Sequence, residues 1–218
     1  MNILNWFYKK PNIPQRSLDD IKRVTKILFI DDIKFEVVEK ISTNGWRQCS
    51  RVKDIEDLDH ADVEKTHIFF VDIQGVGKKL NFPDEGLGLA RALKEKYPSK
   101  AVILYSSEGK RDIFDNTLSI VDARIRKNAD TYEFLKLTEK FANQAFSLEE
   151  CIQRIQKLVK DETGEFLELS LIKTNLLKVQ NKGEIDSDKV LKAFKVTAQS
   201  GSIIGTIIKT FLTHSVSP

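Results

Sequence analysis

Four short apolar stretches of this sequence end on residues that can do chemistry. His67-Ile68-Phe69-Phe70-Val71 runs into Asp72, and Lys26-Ile27-Leu28-Phe29-Ile30 runs into Asp31-Asp32. Ala101-Val102-Ile103-Leu104-Tyr105 ends in Ser106-Ser107, and Ala123-Arg124-Ile125-Arg126 leads to Lys127. Brought to one place, these ends supply three carboxylates, a hydroxyl and an ammonium. Three clustered carboxylates repel one another and do not all stay ionised without a cation. An all-oxygen site of this charge suits a hard ion, Mg²⁺ ahead of Ca²⁺. One strand ending in Asp would mean little, because Asp also opens turns. The repetition is what carries weight.

The elements that must position these residues follow from the same runs. Short, β-branched and aromatic runs predict strands buried on both faces. From residue 26 to about 130 they alternate with amphipathic stretches, the pattern of βαβ units and a parallel sheet. Open α/β sheets bind ligands at their carboxyl edge, where the last residue of each strand lies. Ile33 to Ile41 predicts a first helix, and Trp46 to Val52 a less apolar strand nearer an edge. Asp54 to Val63 is polar and predicts a short helix with loops. Gly86 to Tyr97 predicts a helix with Leu87, Ala90 and Leu93 on one stripe, closed by Pro98. Between Asp72 and Pro83, Gly75 and Gly77 match neither a P-loop nor a dinucleotide fingerprint and read as turn residues.

A length of 218 residues admits one large domain or one domain with an appendage. Hydrophobic content of 41% and charged content of 31% belong to a folded chain rather than a disordered one. A net charge of +3 is too mild to imply nucleic acid by itself. Cys49 and Cys151 lie far apart, and His60, His67 and His214 are scattered, so neither type shows metal-ligand spacing. The two thiols suit a reducing compartment. No run approaches the roughly 18 apolar residues of a spanning helix, and no signal-peptide pattern opens the chain. A cytoplasmic location is expected.

Five features now stand in order: Ile-Leu-Phe-Ile-Asp31-Asp32, Phe-Phe-Val-Asp72, Pro83-Asp84-Glu85-Gly86-Leu87, Val-Ile-Leu-Tyr-Ser106-Ser107 and Lys127. In order and approximate spacing this resembles the receiver domain of two-component response regulators, over roughly residues 24 to 146. The resemblance implies a doubly wound, flavodoxin-like sheet of five parallel strands in the order 2-1-3-4-5. It implies Asp72 as phosphoacceptor and Mg²⁺ as cofactor, held by Asp32 directly, by Asp31 through water, by Asp72 and by the backbone carbonyl of Gln74. Ser106 would hydrogen-bond the phosphoryl oxygen, and Lys127 would pair with it. Gln74 and Glu108 would flank the path of the hydrolytic water. A histidine kinase or a phosphotransfer protein would be the donor. Three departures stand out. The loop from Asp72 to Pro83 is several residues longer than usual and carries Lys78 and Lys79. Asn128 follows Lys127 where the family has a proline, and Arg124 occupies the position of an aromatic switch residue.

The expected organisation is an N-terminal arm (1–25), a receiver (26–146) and an α-helical output region (147–218). In the arm, Trp6-Phe7-Tyr8 is expected to dock on the chain itself, and Ser17-Leu18-Asp19-Asp20 reads as a capping-box variant opening a short helix. From Tyr132 to Thr163 there is neither Gly nor Pro. Phe134, Phe141, Leu148 and Ile155 recur every seven residues, with Leu137, Cys151 and Leu158 on a second line. A single 132–163 helix would offer a homodimer seam. Ser147-Leu-Glu-Glu150 is also a capping box, so a break there and packing in cis is an equal reading. Gly164 is a natural C-cap.

Glu165 to Val179 predicts a helix with Phe166, Leu169, Ile172, Leu176 and Val179 inward. Asp186-Ser187-Asp188 would cap another, with Val190, Leu191 and Phe194 inward. Ile203, Ile204, Ile207, Ile208, Phe211 and Leu212 form a stripe for a membrane surface or a partner's groove, and Gly201 with Gly205 would permit close helix packing. Only Lys209 is basic there, which argues against a membrane anchor. Residues 147–218 hold ten Lys and Arg against nine Asp and Glu, no footprint for duplex DNA.

The function expected is that of a phosphoacceptor signalling protein, not a turnover enzyme, whose helices control self-association or partner binding. The alternative is a pseudo-receiver that acts as a phosphorylation-independent scaffold. An Mg²⁺-dependent phosphohydrolase is disfavoured by Gln74, which stands where such enzymes carry a second acid.

Overall fold

In the computed structural model the apolar runs form a five-stranded sheet: β1 (Lys26–Ile30), β2 (Gln48–Val52), β3 (Ile68–Asp72), β4 (Ala101–Ser106) and β5 (Ala123–Arg126). The structure describes residues 16–107, 120–180, 192 and 194–212. The Trp6-Phe7-Tyr8 triplet, Glu108, the cap at Asp186–Asp188 with Val190 and Leu191, and His214 lie outside them. The strand order is β2-β1-β3-β4-β5, and every pairing is parallel. This is the doubly wound order expected. β3 sits in the middle with all five residues buried, while β2, at one edge, alternates exposed and half-buried residues.

The side chains of each strand divide by the two-residue period of the pleat. On one face Leu28, Ile30, Phe69, Val71, Val102 and Leu104 join a core with Leu87, Leu89, Ala90 and Leu93 of helix α4 (Gly86–Lys96). On the other face Phe29 stacks on Phe70 at 4.4 Å and 4°. Tyr105, Phe35 and Phe134 pack around that pair. The same period carries each strand from these rings to its chemistry, Phe29 to Asp31 and Phe70 to Asp72.

Three short helices flank the sheet: α1 (Leu18–Val24), α2 (Val37–Thr43) and α3 (Ala61–Lys65), whose buried Val63 joins the core shared with α4. α1 opens as its sequence predicts, with the Ser17 hydroxyl accepting from the Asp20 N–H at 3.1 Å. α2 starts at Val37, four residues later than expected. Phe35 is therefore outside the helix, and its ring joins the aromatic group.

The chain divides into two compact units. Ser17–Ala145 holds the sheet, α1 to α4 and most of α5 (Thr131–Phe146). The second is made of the described residues from Phe146 onward together with Arg16. It contains α6 (Leu148–Thr163), α7 (Leu169–Gln180) and α8 (Ala198–Leu212).

The single 132–163 helix does not form. Ser147 is extended (φ −77°, ψ 132°), and its side chain accepts from the Glu150 N–H, starting a new helix. The heptad pattern is consumed by two cores. Phe134 and Phe141 are buried in the sheet unit, and Cys151 and Ile155 in the helical one. The 132–163 dimer seam is thereby removed. Gly164 ends α6 in the left-handed region at φ 73°.

α7 begins at Leu169, not Glu165. The Thr163 hydroxyl accepts from the Glu165 N–H, and Gln156 Nε2 donates to the Leu167 carbonyl, which holds residues 165–168 out of the helix. Ile172 and Leu176 are buried as expected, but Phe166 and Leu169 are exposed. The α8 stripe is buried in the unit's own core through Ile204, Ile207, Ile208 and Phe211, so it is not a free surface for a membrane or a partner. A Cβ at Gly205 would meet nothing within 4 Å, so that glycine mediates no close packing. Among the described residues no helix is long and apolar enough to cross a membrane.

Candidate functional site

The carboxyl edge of the sheet gathers the ends of β1, β3 and β5. Asp31, Asp32 and Asp72 each offer a carboxylate oxygen within 4.8 Å of the others. Asp31 is wholly buried and Asp72 is 5% exposed, while Asp32 faces solvent. Lys127, in the turn after β5, sends Nζ to Asp72 Oδ2 at 2.6 Å and to Asp31 Oδ2 at 2.9 Å. Its backbone N–H donates to the Ser106 carbonyl at 2.9 Å, which ties that turn to the end of β4. Among the described residues Lys127, rather than its neighbour Arg126, is thus the cation that pairs with Asp31 and Asp72. Ser106 is buried at the strand end, in register with Arg126. The Gln74 N–H reaches Asp72 Oδ1 at 3.5 Å.

Burial pushes the Asp72 carboxyl above the usual carboxylate range. The Lys127 ammonium opposes this, and the charge of Asp31 adds to it. For Lys127, burial works against the charge, but its hydrogen bonds to Asp72 and Asp31 prevail and hold its pKa above the ordinary lysine value.

The backbone is shaped to the pocket at two glycines. Gly75 has φ +80°, and a Cβ there would lie 2.4 Å from Asp32 Oδ2. At Gly86 an added Cβ would lie 1.8 Å from the Asp72 carbonyl oxygen, so the N-terminus of α4 can approach β3 only as glycine. The long loop between these glycines is pinned to the segment after β2. Asp54 Oδ1 accepts from the Gly77 N–H at 2.6 Å, and Oδ2 accepts from the Lys79 N–H at 3.1 Å. The Lys79 ammonium pairs with Glu56, and Lys78 with Glu85 at 3.6 Å. Val76 of this loop is fully buried in the core. The two added lysines are therefore held by carboxylates of the loops.

Three residues of the site were not singled out from sequence. The Tyr105 hydroxyl donates to Asp31 Oδ2 at 2.9 Å, and Arg51 Nη1 donates to the Asp31 backbone carbonyl at 2.5 Å. The Phe35 ring lies 5.6 Å from Lys127 Nζ. Strand parity contained a signal for Tyr105, which is in register with Asp72. No local signal marks Arg51 or Asp54, whose partners come from distant strands and loops. The donor set of the pocket, three carboxylates with all-oxygen ligation, fits a hard divalent cation.

No protein-family model matches the sequence, and no curated protein sequence does. Solved structures do match. A response regulator from Thermotoga maritima is 19% identical, with 55% of this chain and 98% of that one covered and a TM-score of 0.46. The receiver domain of NtrX from Brucella abortus is 21% identical, with 54% and 98% covered and a TM-score of 0.45. A response regulator from Burkholderia pseudomallei, with a phosphorylated aspartic acid and a calcium ion, is 17% identical, with 82% and 97% covered and a TM-score of 0.41. Receiver domains of response regulators are thus among the solved structures to which this chain is similar.

Proposed function

We propose that this chain is a phosphoacceptor signalling protein, with Asp72 as the residue that takes the phosphoryl group. The observation that carries the reading is the meeting of Asp31, Asp32, Asp72 and Lys127 at one sheet edge. A carboxylate oxygen of Asp72 would attack the phosphorus of a donor. A new P–O bond forms the acyl phosphate while the bond from phosphorus to the donor breaks and the leaving group departs. Asp31, Asp32, Asp72 and the Gln74 carbonyl would hold Mg²⁺. The bound ion would supply charge neutralisation for the phosphoryl oxygens.

Lys127 would then move its ion pair from the Asp72 carboxylate to a phosphoryl oxygen, as a point charge. The Ser106 hydroxyl would donate to another. A histidine kinase or a phosphotransfer protein is the donor class, and no separate substrate is turned over. Lys127 stands four residues before the first residue of α5, so a change in its partner can reach the helices that follow. The output is altered self-association or partner binding by those helices.

The test is incubation with Mg²⁺ and acetyl phosphate, followed by intact mass. A single phosphoryl adduct is expected, absent with a chelator and in Asp72→Asn. No adduct under conditions that label another receiver would leave the fold as a scaffold that works without phosphorylation.

A further inference from the structure

Tyr105 is fully buried, yet it carries a hydroxyl on the face of the sheet where the acids converge. Register sets it beside Asp72 on β3 and Ile125 on β5. Its ring is held from three sides. It stacks on Phe35 at 5.4 Å and 14°, and it meets Phe29 at 5.9 Å and Phe134 at 6.3 Å, both nearly edge-on. A tyrosine has two side-chain torsions, and this packing fixes both. The hydroxyl therefore has one place to be, 2.9 Å from Asp31 Oδ2.

Asp31 itself has no exposed surface. Oδ2 accepts from Tyr105 and pairs with Lys127, and Oδ1 accepts from the Ile33 N–H at 3.0 Å. Of these three partners, Lys127 also serves Asp72 and would serve a phosphoryl group when one is bound. Ile33 belongs to the loop after β1. Only the tyrosine is locked by the core of the sheet.

We propose that Tyr105 is a positioning residue of the acidic pocket: its buried hydroxyl fixes the Asp31 carboxylate beside Asp32 and Asp72 and so sets how tightly the pocket holds a divalent cation. The inference rests on the reading of that pocket as a cation site. Partners that orient a carboxylate are worth roughly 10- to 100-fold in metal affinity when removed. The same rigid ring joins the pocket to Phe134 of α5, so ordering at the metal and packing on that helix share one side chain.

The experiment uses the full chain and Mn²⁺ alone as probe, with free Mn²⁺ read by electron paramagnetic resonance. Tyr105→Phe keeps the ring and removes the donor. Ile103→Val, two residues earlier on the same strand, removes one buried methylene and controls for packing. Asp32→Asn removes an acid of the pocket. Circular dichroism confirms the fold of each variant. The Mn²⁺ dissociation constant is expected to rise about tenfold in Tyr105→Phe. Ile103→Val should stay at the wild-type value, and Asp32→Asn should bind weakest. Wild-type affinity in Tyr105→Phe overturns the inference, and so does an equal loss in Ile103→Val. A wild-type chain that binds no Mn²⁺ overturns the cation-site reading, and this inference with it.

Discussion

The two units of this chain are both built around apolar interiors, yet they differ in what else they bury. The sheet unit buries Asp31, Asp72, Ser106 and the Tyr105 hydroxyl at one edge, with Lys127 between the two acids. Among the described residues of the helical unit, Asn175 is the one buried polar side chain beside Cys151, Ile155, Ile172, Leu176, Ile204, Ile208 and Phe211. Burying charge is expensive unless it is paired and hydrogen-bonded. Among the described residues the fold does so at this one place, which sets stability against chemistry there. Among its described residues the helical unit buries no charged side chain, and its interior is apolar packing supported by side-chain hydrogen bonds such as that of Gln156 to the Leu167 carbonyl.

That contrast can be broken most sharply at glycines. Gly86→Ala drives a methyl group into the Asp72 carbonyl, where the contact is backbone on both sides. A loss of more than about 3 kcal/mol in urea unfolding is expected, because overpacking against backbone has no soft way out. Next comes the buried charge. Lys127→Met leaves Asp31 and Asp72 facing each other without their ammonium, and about 3 kcal/mol should be lost. Mg²⁺ should then raise the melting temperature of Lys127→Met more than that of wild type, since the ion replaces the missing charge.

The pH dependence has a definite sign. The folded pKa of Lys127 lies above its ordinary 10.5. Its stabilisation is therefore complete below that value and fades only as pH climbs through the higher folded one. Chemical denaturation of wild type and Lys127→Met at neutral and strongly alkaline pH should show a constant difference up to the ordinary lysine range and a narrowing above it.

In the helical unit the expected effects come from packing. Ile155→Ala opens a cavity in a fully buried position and should cost about 2.5 kcal/mol, with no dependence on Mg²⁺. Gly205→Ala is the smallest effect and has the opposite sign. A methyl group there meets open space inside a helix, so a gain of about 0.5 kcal/mol is expected in thermal melts. A Mg²⁺-dependent Ile155→Ala or a destabilising Gly205→Ala would erase the contrast.

The sheet was legible because its signals are local. Runs such as Ile68–Val71 and Val102–Tyr105 announce buried strands, and each ends within a residue or two of its chemistry. The acidic pocket was legible for the same reason, since parallel strands bring their last residues to one edge. What was not legible depends on partners far away in sequence. Arg51 reaches the Asp31 carbonyl from a neighbouring strand, and Asp54 caps a loop more than twenty residues later. Phe35 had helical spacing, but the aromatic group of the sheet claimed its ring.

In the C-terminal half periodicity alone misled. A heptad repeat describes which residues are apolar, not which core receives them, and Ser147 decided between the two readings by capping a new helix. Phe166 sat on an expected inward line, yet the turn after Gly164 leaves it exposed.

The central claim, that Asp72 is a phosphoacceptor, is tested most directly by locating the phosphate. After incubation with Mg²⁺ and acetyl phosphate, borohydride reduces an acyl phosphate on aspartate to homoserine, and tandem mass spectrometry of peptides reads its position. Homoserine at position 72 and nowhere else is the predicted result. Phosphate stable on a hydroxyl, or homoserine at another aspartate while Asp72 stays unmodified, would contradict it.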